Sequence, residues 1–286
     1  MKGLTEARVA IVGLGLMGGS LAGALCGKCR AVIGVARREE TLRTALAQGL
    51  VDHGTTDLST GIHQADVVIL ATPVRVVMQL LTEIGPLLPE GSLLMDLGST
   101  KVPIVAEMAR LPEHVQPLGG HPMCGKEVSG IAEADPALYR GCTFILTPLP
   151  RTSRAALDLG RELTEAIGAH PLLLEPGRQD YLVGTISHLP YLLACALIAT
   201  ADVTTSNDPA AWEVVANGFR DTTRVAGSDT TMMIDVLLTN RDEILKALRV
   251  YQAKLRDLTR LVDTGDEEPI RASLNSVREQ RRAMFP

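Results

Sequence analysis

Val9-Ala10-Ile11-Val12-Gly13-Leu14-Gly15-Leu16-Met17-Gly18-Gly19-Ser20 runs four apolar residues into Gly-x-Gly-x-x-Gly and then into a helical pattern. In that order a buried strand meets a tight turn and a helix. Gly13 permits the turn, Gly15 lets a pyrophosphate approach the main chain, and Gly18 lets the helix lie close against the strand. The helix N-terminus, opening at Leu16 and Met17, then offers free N–H groups to phosphate oxygens. A glycine run alone is a weak signal. Its weight comes from Ala31–Val35, a second buried strand at the spacing a β–α–β unit requires.

The tip of that second strand selects the cofactor. A carboxylate there would accept hydrogen bonds from the ribose 2′-hydroxyl of NAD. The chain instead places Ala36 there, followed by Arg37 and Arg38. With no carboxylate to repel it and two guanidiniums to grip it, a 2′-phosphate is favoured, so NADP is expected, with NAD possible. The alternative is that the two arginines solvate a helix start or stack on adenine.

At 286 residues the chain holds one full α/β domain and a second, smaller one. Residues 1–175 are expected to form the dinucleotide-binding domain and 176–286 an all-helical domain. A net charge of −5 without a long basic run argues against a nucleic-acid partner and for a small-molecule substrate. Aromatic residues are 3% of the chain, so its core must be aliphatic. The first apolar run is already the nucleotide strand, with no signal peptide before it, and a cytoplasmic protein is expected. Cys26-Gly-Lys-Cys29 has redox or zinc spacing but falls at the end of a helix, and no second close pair supplies further ligands, so no metal is expected.

Along the chain, a helix over 39–48 and a short segment at 51–53 precede the strong strand 65–71, closed by Thr72-Pro73. Because ligands lie at the carboxyl ends of parallel strands, Ala71, Thr72 and Pro73 are expected beside the cofactor. A helix over 75–84 leads to strand 92–96 and to the turn Leu97-Gly98-Ser99-Thr100-Lys101, also on the ligand side. Ser99 is either a substrate contact or the N-cap of the next helix. His121 follows Gly119-Gly120 and precedes Pro122, past an expected strand at 115–118, and is read as held in a tight loop at the mouth of the sheet. A histidine there can accept a hydroxyl proton near neutral pH. Strands at 143–147 and 171–175 flank a helix over 152–167, and beyond them the pattern is helical: 182–201, 235–262 and 268–282. Residues 182–201 are apolar, but His188 and Pro190 interrupt them, which favours a buried interface helix over a membrane span.

Gly13-Leu-Gly-Leu-Met-Gly18, Asp96-Leu-Gly-Ser99, Gly120-His-Pro-Met-Cys-Gly125 with Glu127, Ser187-His-Leu-Pro190 and Phe219-Arg-Asp-Thr-Thr-Arg224 stand in one order across almost the whole chain. In these pieces the chain resembles the prephenate/arogenate dehydrogenase family of tyrosine biosynthesis. The resemblance implies a Rossmann-type nucleotide-binding domain followed by an all-helical dimerisation domain, a homodimer, and an active site between the domains. It leaves no stretch for the mutase or regulatory domains that some relatives carry, so none is expected. It also implies that His121 takes the ring-hydroxyl proton as hydride leaves for nicotinamide, that Ser99 orients that hydroxyl, and that Arg224 pairs with the substrate carboxylate. Asp221 and Glu127 would orient or gate that arginine, and His188 would face the site from its helix.

Two positions depart from the family pattern: Tyr191 stands where some relatives carry a substrate-contacting histidine, and Lys126 where a small hydroxyl residue is common. Both lie near the substrate's polar groups. A β-hydroxyacid-type dehydrogenase would place a catalytic lysine near His188 or Arg224, where this chain has none. A non-catalytic nucleotide sensor would need neither His121 nor Arg224. Replacing Ala36 by Asp and both arginines by neutral residues should raise Kd for NADP about tenfold or more while NAD binds as well or better, since each charged hydrogen bond contributes ~1.5–3 kcal/mol. Titration with both dinucleotides checks this; tighter wild-type binding of NAD than NADP at low salt overturns it.

Overall fold

The computed structural model describes residues 1–285. Its first part alternates strand and helix: β1 (Arg8–Val12), α1 (Leu16–Leu25), β2 (Ala31–Val35), α2 (Glu39–Ala47), β3 (His53–Thr55), α3 (Leu58–Ile62), β4 (Val67–Leu70), α4 (Val74–Ile84), β5 (Leu93–Asp96), α5 (Val102–Met108), β6 (Gln116–Pro122), β7 (Thr143–Pro148), α6 (Arg154–Ala166) and β8 (His170–Leu173). The strands form one sheet in the order β3-β2-β1-β4-β5-β6-β7-β8. All neighbours are parallel except β6 and β7.

The central strands read as continuous apolar runs because both faces of the sheet are covered. Val9 and Ile11 of β1, Val67 and Ile69 of β4, and Leu93 and Met95 of β5 share one core with α1, α2 and α6. Ala10 and Val12, Val68 and Leu70, and Leu94 point the other way, into a core with α3, α4 and α5. Alternation along each strand thus sorts one run into two cores.

The last part is helical: α7 (Pro176–Val183), α8 (Leu189–Thr205), α9 (Asn217–Thr223), α10 (Thr230–Thr239), α11 (Arg241–Thr264) and α12 (Glu267–Met284). A π turn, Gly184–His188, joins α7 to α8, and Pro190 sits in the first turn of α8, where its missing N–H costs nothing. Residues 235–262 are not one helix as their periodicity predicts. Asn240 leaves the helical region at φ −120°, and the break separates α10 from α11. Nor is α8 a buried helix within one chain: only Leu189 and Ala194 are buried, while Leu197, Ile198 and Val203 are exposed. The run Pro176–Thr205 is long and apolar enough to cross a membrane, by length and composition alone.

The two parts meet at the carboxyl end of the sheet. Asp180 of α7 accepts from the backbone N–H groups of Lys101 (2.7 Å) and Val102 (2.8 Å). Thr100 and Thr239 share a hydroxyl–hydroxyl bond of 2.9 Å, and the backbone N–H of Arg75 donates to Asp235 at 3.0 Å. A helix start on the sheet side is thereby capped by a carboxylate from the helical side.

One element lies elsewhere than the sequence places it. His121 is not in a loop; it is a strand residue of β6, paired with Ile145 of β7. The antiparallel return of β7 extends the ladder through Gly119, Gly120 and Pro122, and the two glycines are there for clearance. A Cβ on Gly120 would lie 2.4 Å from the Asp96 carbonyl oxygen, and one on Gly119 3.2 Å from Lys101 Cδ. Gly120→Ala should therefore lower the unfolding free energy by ~1–3 kcal/mol, the usual cost of overpacking. Gly125→Ala, with nothing within 4 Å, should change it by less than ~0.5 kcal/mol. Urea unfolding of the two variants checks the difference.

Candidate active site

The glycine turn is built as a phosphate cradle. Gly13 has φ +100°, and a Cβ there would meet the Ala71 carbonyl at 2.7 Å and the Thr72 methyl at 2.8 Å. A Cβ on Gly18 would lie 1.8 Å from the Gly13 carbonyl oxygen, so α1 packs on the turn only because residue 18 is glycine. Around Gly15 there is open space, and α1 starts there without any side-chain cap. Its first N–H groups, at Leu16, Met17 and Gly18, are left for an external acceptor. Thr72 Oγ1 beside the turn is buried without a partner. Tyr139 donates to the Met17 carbonyl at 2.8 Å, tying the β6–β7 connection to the cradle. These features fit a dinucleotide pyrophosphate. Ala36 follows β2 and is half-buried; Arg37 and Arg38 are exposed, and Arg38 makes no side-chain cap bond although it holds the N-cap position of α2.

Behind the next strands lies a buried charge pair. Lys101 Nζ bonds to Asp96 Oδ2, and both side chains are fully buried. Asp96 also accepts from the N–H groups of Gly98 (2.7 Å) and Gly120 (3.1 Å), and Lys101 donates to the Thr100 carbonyl at 3.1 Å. Burial pushes the Asp96 carboxyl up and the Lys101 amine down, each against the pull of the other. His121 sits next to this pair, 7% exposed, with Nδ1 unpartnered. Burial first, then the neighbouring Lys101 and His188, hold its pKa well below the ordinary histidine value. It is a neutral imidazole at physiological pH, the form in which it can take a proton. His188, buried at the start of α8, is lowered by burial to about 4.

The remaining candidate residues divide into those brought together and those not. Arg224, at the end of α9, is ion-paired with Glu127 from the β6–β7 connection, so of the two carboxylates the sequence offers it is Glu127 that meets the arginine. Asp221 is exposed and is in no ion pair among the described residues. Lys126 turns to Asp135 at 3.1 Å within its own connection. Tyr191 is half-buried beside Cys195. Ser99 does not cap α5, because Asp180 meets those N–H groups; its carbonyl accepts from Gln179 at 3.4 Å. A separate cavity of about 540 Å³, lined by Arg8, Arg30, His53 and His63, opens at the other end of β1–β3, away from the cradle.

A dinucleotide cradle and a buried neutral histidine at the carboxyl end of one sheet define a nucleotide-dependent dehydrogenase. A family model described as the nucleotide-binding domain of prephenate dehydrogenase matches residues 21–173, and one described as its dimerization domain matches residues 175–276. Prephenate dehydrogenase of Bacillus subtilis is 32% identical over 277 residues, covering 96% of this chain and 75% of that protein. The crystal structure of Aquifex aeolicus prephenate dehydrogenase in complex with hydroxyphenyl propionate and NAD+ superposes with a TM-score of 0.91 at 31% identity, covering 99% of this chain and 100% of that one. Synechocystis arogenate dehydrogenase superposes with a TM-score of 0.83 at 30% identity, covering 97% and 100%. The chain belongs to the prephenate dehydrogenase family.

Sequence reasoning passed over Asp96, Lys101, Asp180 and Asn240, all buried and all bonded within or beside the site. For Asp96 and Lys101 a signal existed: an acid closing an apolar strand, with a lysine five residues on, in a turn expected on the ligand side. Asp180 and Asn240 sit on helices whose pattern gives no hint of their partners. The histidines make a measurable demand on stability. A group whose pKa falls on folding contributes stability that is full above its unfolded value and is lost as the pH drops through the window below it. For His188 that window runs from 6.5 down to about 4. His188→Gln should therefore reduce the slope of unfolding free energy against pH in that window by about 1.4 kcal/mol per pH unit. Denaturant titrations across the window check the slope, and equal slopes in both proteins overturn the assignment.

Proposed function

We propose that the protein oxidatively decarboxylates prephenate to 4-hydroxyphenylpyruvate, or arogenate to tyrosine, with NADP preferred over NAD, and that it works as a cytoplasmic homodimer. The observation that carries this reading is the neutral, buried His121 beside the Asp96–Lys101 pair, at the same carboxyl end of the sheet as the cradle. The reacting group in either substrate is a ring hydroxyl whose proton must leave as the carbon is oxidised, and an uncharged imidazole is suited to accept it. When bound, the nicotinamide supplies the hydride acceptor. Gly13, Gly15, Leu16, Met17 and Gly18 would hold the pyrophosphate, Ala71, Thr72 and Pro73 would line the ring's half of the site, and Arg37 and Arg38 would flank the 2′-phosphate beside Ala36.

Ser99, whose side chain is not spent on capping α5, orients the substrate hydroxyl. Arg224 exchanges Glu127 for the substrate carboxylate, a bidentate partner that a planar guanidinium matches. Asp221 is a reserve contact for that arginine, and Lys126, Tyr191 and His188 border the polar side chain in which the two substrates differ. The division between the units falls at 175/176. The homodimer reading rests on the exposed apolar side chains of α8 and α11, including Leu197, Ile198, Leu255 and Leu258, and on the match of residues 175–276 to a dimerization domain.

Spectrophotometric assays with prephenate and arogenate under each dinucleotide test the reading. Turnover of at least one acid, with higher kcat/KM under NADP, is expected; no turnover of either acid with either dinucleotide overturns it. His121→Asn should lower kcat by ~10²–10⁴-fold, the usual loss of a general base, with dinucleotide affinity close to wild type. Retention of more than half the wild-type kcat would remove His121 from the role.

A further inference from the structure

The second buried histidine has its hydrogen placed by its neighbours. His188 closes the π turn before α8 and is 2% exposed. Its Nδ1 lies 3.1 Å from Asn240 Nδ2, and the same amide nitrogen donates to the Asp180 backbone carbonyl at 2.8 Å. A carbonyl only accepts, so the Asn240 atom between the two partners is the NH2 group, and its second hydrogen points to the imidazole. Nδ1 is then an acceptor, and the neutral ring carries its hydrogen on Nε2. That Nε2 is sealed from solvent and has no partner among the described residues. Buried donors left without an acceptor are rare in folded proteins and mark a place where one is supplied from outside.

The surroundings leave the ring uncharged. The Asp180 carboxylate is taken up by the N–H groups at the start of α5. Glu243 of α11 lies against Gly184, one turn before His188, and bonds to Lys246 at 2.7 Å. The other titratable group facing His188 is His121 on β6. A cation at either imidazole would make the other a weaker base.

We infer that Asn240, at the break between α10 and α11, is a positioning residue that fixes His188 as the Nε2–H tautomer, so that His188 donates a hydrogen bond to a carbonyl or carboxylate oxygen of the bound acid while His121 remains the proton acceptor. The acceptor's identity rests on the substrate reading above; the tautomer does not. Two neutral imidazoles thus take opposite hydrogen-bonding roles in one site. The break in the helix is part of the device, because a residue inside a continuous α10–α11 helix would not occupy the junction that reaches both Asp180 and His188.

Nitrogen-15 NMR of the wild-type protein without substrate reads the tautomer directly. The expected result is His188 protonated on Nε2 and neutral down to about pH 4; an Nδ1–H or cationic ring at neutral pH overturns the inference. Asn240→Asp supplies the second test. A carboxylate there accepts from Nδ1–H, which reverses the tautomer and raises the histidine's pKa. Above the raised pKa, where the ring is the neutral Nδ1–H tautomer, KM for the acid should rise about tenfold or more, as for loss of a hydrogen bond to a charged group; below it, where the cationic ring again donates from Nε2, KM should recover, with dinucleotide Kd unchanged throughout. An Asn240→Asp enzyme with wild-type KM and wild-type pH profile overturns the inference. Should that variant fail to fold, the wild-type spectrum decides alone. A wild-type Nε2–H tautomer in a protein that turns over neither acid sinks the substrate reading and leaves the positioning role standing.

Discussion

The buried pair of Asp96 and Lys101 is the joint around which both halves of the molecule are set. Neither side chain touches water, and each is useful only because the other is there. Asp96 gathers Lys101 Nζ and the N–H groups of Gly98 and Gly120, which fixes the turn after β5 and the approach of β6 in one stroke. The main-chain N–H of Lys101 goes to Asp180 and so carries the constraint into the helical part. Removing one partner of such a pair typically costs 3–5 kcal/mol, because the remaining charge stays buried and unpaired. The glycines at 119 and 120 follow from it: β6 passes so close to the Asp96 carbonyl and the Lys101 side chain that no Cβ fits comfortably.

The protonation state of His121 responds to the same joint. A histidine in water is half-protonated near pH 6.5, whereas His121 is buried and has the Lys101 and His188 side chains near it, so its neutral form is the stable one. The candidate site thus keeps only mutually paired charges at depth. Uncharged imidazoles lie inside, and the guanidinium of Arg224 lies at the exposed edge, held by Glu127. An exposed ion pair is worth little to stability, so parting Arg224 from Glu127 would cost little.

Much of the sheet could be read from the chain. Helix α1 and strand β2 lie where the apolar pattern puts them, and Gly13, Gly15 and Gly18 behave as the turn requires. These features are local: a strand buried on both faces must be continuously apolar, and a turn at φ +100° requires glycine. His121 was not legible as a strand residue, because its pairing depends on β7, more than twenty residues away in sequence. Pro122 and the paired glycines look like loop chemistry, and only the antiparallel return of β7 makes them strand.

The sequence by itself determined the alternation of strand and helix, the phosphate cradle, the arginines after β2 and the passage to an all-helical half, since each is written in residues that act on their near neighbours. Tertiary structure alone decided that Asp180 rather than Ser99 caps α5, that Glu127 rather than Asp221 holds Arg224, that 235–262 breaks at Asn240, and that Lys101 is a buried cation beside the base. The physical reason is the same in each case. A hydrogen bond or a charge pair needs a partner at about 3 Å, and chain spacing does not say which distant residue will arrive there.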